Sequence, residues 1–231
     1  MKRLLSLAEG NEHYRDYLIK HQAYMVQNPT EKIPVGILMY GPQGTGKNLY
    51  YEELIGKRML GQSLFFKASK AKEVTGNYNE HLRGKRLVIG DEIAFGGDHV
   101  MNNIIKDLIT SRQINIEQKY FPMYTVEDIT AWVFFSNNNY PLRIEASDRR
   151  FMCLKPTHVL TKEEINEFVD YISDAQNVYD YYNWLLEVDL SDFDPSKSMP
   201  KTEQKLILQE ESADPIDQWF SDLQMSDIQW E

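Results

Sequence analysis

Five short apolar runs, each bounded by Gly, Pro or charged residues, alternate along the chain with stretches of helical composition. The runs are Val35–Tyr40, Ser63–Phe66, Arg86–Gly90, Ala131–Phe135 and Phe151–Leu154. A run of four to six apolar residues without alternation is the pattern of a strand buried on both faces. Leu4–Gln27 reads as a helix closed by Asn28-Pro29, residues 47–60 as a second ending before Gly61, and Met101–Ser111 as a third. Ile114–Glu117 and Met123–Val126 alternate apolar and polar residues around Lys119-Tyr120-Phe121-Pro122, which predicts a hairpin with a long loop. Strands alternating with helices predict an α/β fold whose sheet is mostly parallel and flanked by helices.

The last third differs. Thr161 precedes Glu164 by the spacing of a capping box, and the helix it starts is expected to run through Tyr179 to Leu186. Asp192–Thr202 is loop-like, and Glu203–Glu231 reads as one or two short amphipathic helices. The expected division is a helical segment over 1–32, a core over 33–156 and an acidic helical extension over 157–231.

Composition adds exclusions. Of 231 residues 42% are apolar, enough for a real core, and the lone cysteine, Cys153, rules out a disulfide framework and is expected in the core. No Cys/His cluster has zinc-ligand spacing, and no apolar run approaches the roughly 18 residues of a membrane span. A soluble, cytoplasmic protein with no membrane partner is expected. Net charge is −10, but residues 1–155 hold 21 Lys+Arg against 17 Asp+Glu, whereas residues 156–231 hold 4 against 18. The mildly basic body can bind phosphates despite the overall sign. The acidic third reads first as a solvated helical face, with a docking surface or a guard over a basic channel as the alternative.

Candidate chemistry begins after the first strand run. Gly41-Pro42-Gln43-Gly44-Thr45-Gly46-Lys47-Asn48 fits the phosphate-binding pattern G-x-x-x-x-G-K between a strand and a helix. Its backbone N–H groups would wrap phosphates, with Lys47 reaching the β/γ-phosphates. Asn48 stands where a Ser or Thr hydroxyl normally meets Mg²⁺; a carboxamide oxygen can also ligate the ion or hold one of its waters. Asp91, at the end of the third run, would hold Mg²⁺, and Glu92 would polarise an attacking water. Asn137, ending the fourth run at Ser136-Asn137, could orient that water or merely build a turn with Asn138 and Asn139. Arg149 and Arg150 are either exposed arginines or one of them is a finger that stabilises a transferring phosphoryl group.

The order of these motifs, with Asn77–Lys85, Pro141 and Asp148-Arg149-Arg150-Phe151, resembles the superfamily 3 helicase part of phage, plasmid and poxvirus-type primase-helicases. The resemblance implies an AAA+-like core, ATP with Mg²⁺, and a ring, usually hexameric, around single-stranded DNA. It assigns the phosphate loop to Lys47 and Asn48, the second motif to Asp91 and Glu92, the sensor to Asn137, and the finger to Arg149 or Arg150 reaching a neighbouring subunit. A hairpin entering the ring's channel would carry Lys119 and Tyr120 to DNA, Lys for phosphate and the aromatic for stacking; Phe121 is expected to pack in the core. A primase-polymerase module in the same or a partner chain is implied, so an excised helicase fragment or a small stand-alone relative is expected. The leading expectation is an ATP-driven DNA translocase of phage or mobile-element replication. A small-molecule kinase with an arginine-bearing lid and a weakly hydrolytic, nucleotide-dependent assembly module are the competing classes.

Overall fold

The computed structural model describes residues 2–92 and 99–212. Its strands are β1 (Gly36–Tyr40), β2 (Phe65–Ala68), β3 (Leu87–Asp91), β4 (Gln113–Ile116), β5 (Tyr124–Glu127), β6 (Ala131–Ser136) and β7 (Phe151–Leu154). Its α-helices are α1 (Lys2–Leu7), α2 (Glu12–Gln27), α3 (Ala71–Thr75), α4 (His99–Thr110), α5 (Lys162–Ser173), α6 (Ala175–Glu187) and α7 (Glu203–Ser212), with a π-helix over Leu49–Leu60 and a single 3₁₀ turn over Glu80–Leu82.

Five strands form one parallel sheet in the order β2-β3-β6-β1-β7, and β4 pairs with β5 as a separate antiparallel hairpin. The apolar runs follow from this arrangement, because both sheet faces are covered. Ile37, Met39, Ile89, Val133, Phe135 and Met152 face a cluster completed by α1, α2, the π-helix, α5 and α6. Their neighbours Leu38, Tyr40, Val88, Trp132, Phe134 and Cys153 face the other way, onto α4, the hairpin and Leu208 of α7. Trp132 is fully buried and its indole N–H donates to Leu108 O at 3.1 Å, so the largest core side chain carries no unpaired donor.

Two expected helices are each divided. The N-terminal one breaks at Glu9-Gly10, both with positive φ, and restarts at Asn11, whose carboxamide oxygen accepts from the backbone N–H groups of His13 and Tyr14. The helix begun at Thr161 has the expected capping box but ends at Ser173; Asp174 then leaves helical geometry and caps the next helix by accepting from Gln176 N. The final segment is helical over Glu203–Ser212, and the rest of the Glu203–Glu231 expectation lies outside the described residues.

Arg86 fixes how the chain enters β1. It is buried just before β3 and donates to the carbonyls of Met25, Asn28, Glu31 and Ile129, so it ties the end of α2 and the following linker to the sheet. Burial pulls its pKa down to about 10 against the pull of Tyr24, Asp128 and Glu31, which leaves it charged at neutral pH. A cation without those carbonyls would not be tolerated at this depth.

Candidate functional site

The loop between β1 and the π-helix turns through three glycines with positive φ, Gly41, Gly44 and Gly46. At Gly46 the constraint is double: a Cβ there would also meet Leu160 Cδ1 at 2.8 Å. The segment after β7 crosses the loop, and Leu160 N donates to Gly44 O at 2.9 Å. This strap and α5 wall one side of a cleft of about 420 Å³ lined by the loop, Asp91, Glu92, Phe135, Asn137, Leu160 and Ile165.

Five predicted residues converge there from three adjacent strands. Lys47 and Asn48 follow β1, Asp91 and Glu92 end β3, and Asn137 follows β6, which lies between the other two strands. Lys47 is 6% exposed and its Nζ donates to the carbonyls of Gly41 at 3.3 Å and Pro42 at 3.1 Å. Burial lowers its pKa, while the carboxylates of Glu92 and Asp91 oppose the shift. The hydroxyl of Thr45 is buried with no hydrogen-bond partner, at the floor of the loop. Positive-φ glycines, a buried ammonium and an orphaned hydroxyl together fit a polyphosphate, whose oxygens would give the Thr45 hydroxyl the acceptor it lacks.

The carboxylates are held separately. Asn48 Nδ2 donates to Asp91 Oδ2 at 2.8 Å, and Asn137 Nδ2 donates to Glu92 Oε1. The Asn48 backbone is already helical, so its side chain is free of a capping role and turns to Asp91. Glu92 has φ +55, a conformation that non-glycine residues rarely adopt, and its N–H donates to Phe135 O at 3.0 Å. Asp91 and the Asn48 carboxamide offer oxygens of the type a hard divalent cation takes, so the pair fits Mg²⁺.

Sequence reading missed Lys67. This β2 residue puts its Nζ 2.6 Å from Asp91 Oδ2 and 2.7 Å from Glu52 Oε2. Burial pushes its pKa down, and the bonds to Asp91 and Glu52 more than offset that, for a net rise. The signal was a lysine directly after the second apolar run, which the structure includes in β2; it became legible only once β2 was known to pair with β3, through Ala68 beside Gly90.

Arg149 and Arg150 lie elsewhere. They immediately precede β7, and Gly36 N at the start of β1 donates to Arg150 O at 2.7 Å. The phosphate loop leaves the opposite end of β1, about 17 Å away along a five-residue strand. Arg150 Nη1 is 3.4 Å from the fully buried Asp148 carboxylate, which also accepts from the N–H groups of Arg150 and Phe151. Arg149 is exposed.

The hairpin presents its loop to solvent. Tyr120 is 89% exposed with φ +71, and Lys119 Nζ lies 4.9 Å from its ring centroid. Phe121, expected in the core, is 63% exposed instead, because the chain turns at Gln118–Phe121 and carries the ring away from the sheet. Asn79 braces the hairpin where its loop leaves β4: its Nδ2 donates to Asn115 O at 2.8 Å and its Oδ1 accepts from Glu117 N at 2.9 Å. Among the described residues no group of three or more His, Cys, Asp or Glu could hold a metal, and no helix is long and apolar enough to cross a membrane.

A family model described only as a family of unknown function, DUF5906, matches residues 39–150, from the end of β1 to Arg150. The DNA primase-polymerase of Nitratiruptor phage NrS-1 is 24% identical over 230 residues, which is 98% of this chain and 31% of that protein. The chain thus spans less than a third of its curated relative. Two apo structures of the NrS-1 C-terminal region superpose with TM-scores of 0.81 and 0.77, each at 22% identity, covering 99% and 95% of this chain and 55% and 52% of theirs. The chain shares the α/β fold of that region, a parallel sheet flanked by helices.

Proposed function

We propose that this chain is a nucleoside-triphosphate-hydrolysing module of DNA replication that works as a superfamily 3-type translocase on single-stranded DNA. The observation that carries the reading is the convergence of Lys47, Asp91, Glu92 and Asn137 on one cleft below a glycine loop. Similarity to a phage primase-polymerase supports the replication setting.

The loop N–H groups and Lys47 bind and orient the phosphates, and the strap at Leu160 excludes water from the loop's outer side. Glu92, aimed by Asn137, takes a proton from the attacking water. Asp91 and Asn48 would hold Mg²⁺, which supplies neutralisation of charge on the phosphates. Among the described residues the cleft lining holds no arginine, and the two candidate arginines lie at the far end of the sheet. A neighbouring subunit in a ring would therefore supply Arg149. Lys119 and Tyr120, held out by the braced hairpin, would meet phosphate and base in the channel.

The test is ATP hydrolysis measured against protein concentration, with and without single-stranded DNA. A steep rise with concentration and stimulation by DNA is expected. Flat, DNA-insensitive turnover would replace this reading with the assembly module, which the Asn48 carboxamide favours.

A further inference from the structure

Asp91 Oδ2 receives two donors, Asn48 Nδ2 at 2.8 Å and Lys67 Nζ at 2.6 Å. The Lys67 ammonium is shared with Glu52 Oε2 at 2.7 Å, and Glu52 in turn holds Lys57 at 2.8 Å. The Asp91 and Glu52 side chains are only 17% and 14% exposed, so solvent screens these charges weakly. Asp91 is also the one carboxylate that, with Asn48, fits a divalent ion.

We propose that Lys67 is a built-in cation of this site, which competes with a divalent metal for Asp91 and makes metal binding conditional on the ammonium shifting to Glu52. The proposal rests on the Asp91 part of the nucleotide reading and adds a positioning residue that sets metal affinity. A unit positive charge in contact with a carboxylate repels any other cation that approaches it, and it occupies the oxygen that a metal would take. Glu52 makes the competition reversible. It gives the ammonium a second seat within the span of one side chain, so displacement leaves no bare buried charge.

The experiment is Mn²⁺ titration of the whole chain, with free Mn²⁺ read by electron paramagnetic resonance. Lys67→Met, and Lys67→Gln as a second neutral variant, are expected to bind Mn²⁺ at least roughly tenfold more tightly than wild type. Adding Asp91→Asn should erase that gain, and Lys67→Arg should stay near wild type. Glu52→Gln, which removes the second seat, should weaken Mn²⁺ binding. Unchanged or weaker Mn²⁺ binding by both neutral variants would overturn the proposal and reduce Lys67 to a structural ion pair. Calorimetry with ATPγS alongside separates the two claims. Absence of nucleotide binding with the Mn²⁺ response intact would defeat the nucleotide reading and leave the competition standing.

Discussion

Asn137, at the tip of β6, donates its carboxamide N–H to the Glu92 carboxylate at the tip of the adjacent β3. The bond joins the two strand ends above the cleft, and Glu92, whose backbone N–H donates to Phe135 O, has a left-handed backbone conformation. Strain of about 1–3 kcal/mol of this kind persists where surrounding contacts over-determine it, and functional sites are where it collects.

If Glu92 is the base that Asn137 aims, Glu92→Gln keeps nucleotide affinity within about threefold while hydrolysis falls by about 10²–10⁴. Asn137→Ala should lower kcat by a smaller factor, again with little effect on affinity, because it frees the carboxylate without removing it. Single-turnover hydrolysis beside calorimetric Kd values checks both. Hydrolysis near wild type in Glu92→Gln would assign the base elsewhere.

On the proposed reading, Lys119 brings charge and Tyr120 a stacking face to the hairpin tip. Tyr120→Ala should weaken binding of a short single-stranded oligonucleotide by about 1–3 kcal/mol, the usual worth of one base–aromatic contact. Lys119→Ala should weaken binding mainly at low salt and flatten the salt dependence by about one phosphate contact. Neither should change DNA-independent turnover. Fluorescence anisotropy at several salt concentrations distinguishes them, and unchanged affinity in both variants would remove the hairpin from the DNA path.

His21 makes stability depend on pH. It is fully buried on α2, and burial drops its imidazole to about 4, with a backbone bond to Val35 opposing and Arg86 reinforcing the shift. Its folded pKa lies below the unfolded value of about 6.5, so the unfolded chain binds the extra proton first. The stabilisation is complete above about pH 6.5 and is lost as pH falls through about 4. Between pH 7.5 and 4.5 wild type should lose roughly 2.5 kcal/mol more than His21→Gln does. Urea unfolding of both proteins at the two pH values checks this; parallel losses would show that His21 titrates as freely folded as unfolded.

The parallel sheet was legible because both of its faces are buried, which turns Ile37–Tyr40 and Leu87–Ile89 into unbroken apolar runs. The phosphate loop was legible because its glycines are required by backbone geometry and its spacing is local. Lys67 was not, since its meaning comes from β2 lying next to β3, a long-range pairing that no local pattern encodes. The break at Asp174 was hidden for a different reason. Apolar and aromatic residues continue on both sides of it, and the extended backbone of Asp174 with its side-chain bond to Gln176 N marks the new helix start. Phe121 was misplaced because an aromatic beside a proline reads equally as core or as a presented loop, and the turn at Gln118 decides it.

The two arginines before β7 divide the same way. Arg150 is tied to Asp148, whose buried carboxylate also orders the loop by accepting from two backbone N–H groups and lies 3.9 Å from Lys205 of α7. Asp148 keeps Lys205 and its two backbone donors when the Arg150 side chain is removed, so Arg150→Ala should destabilise the fold by about 1 kcal/mol. Arg149 is exposed one residue earlier, at the sheet end opposite its own phosphate loop. Its substitution by Ala should leave the thermal midpoint near wild type. In a ring motor it should instead abolish the concentration-dependent part of ATP turnover, with a loss of about 10³ or more if it meets a neighbour's nucleotide. Mixing Arg149→Ala with Lys47→Ala sharpens the test. Each subunit type lacks a different half of the interface site, so mixed rings regain a fraction of intact interfaces and some activity returns. If the mixture stays as inactive as its components while wild type is active, Arg149 does not act across a subunit boundary.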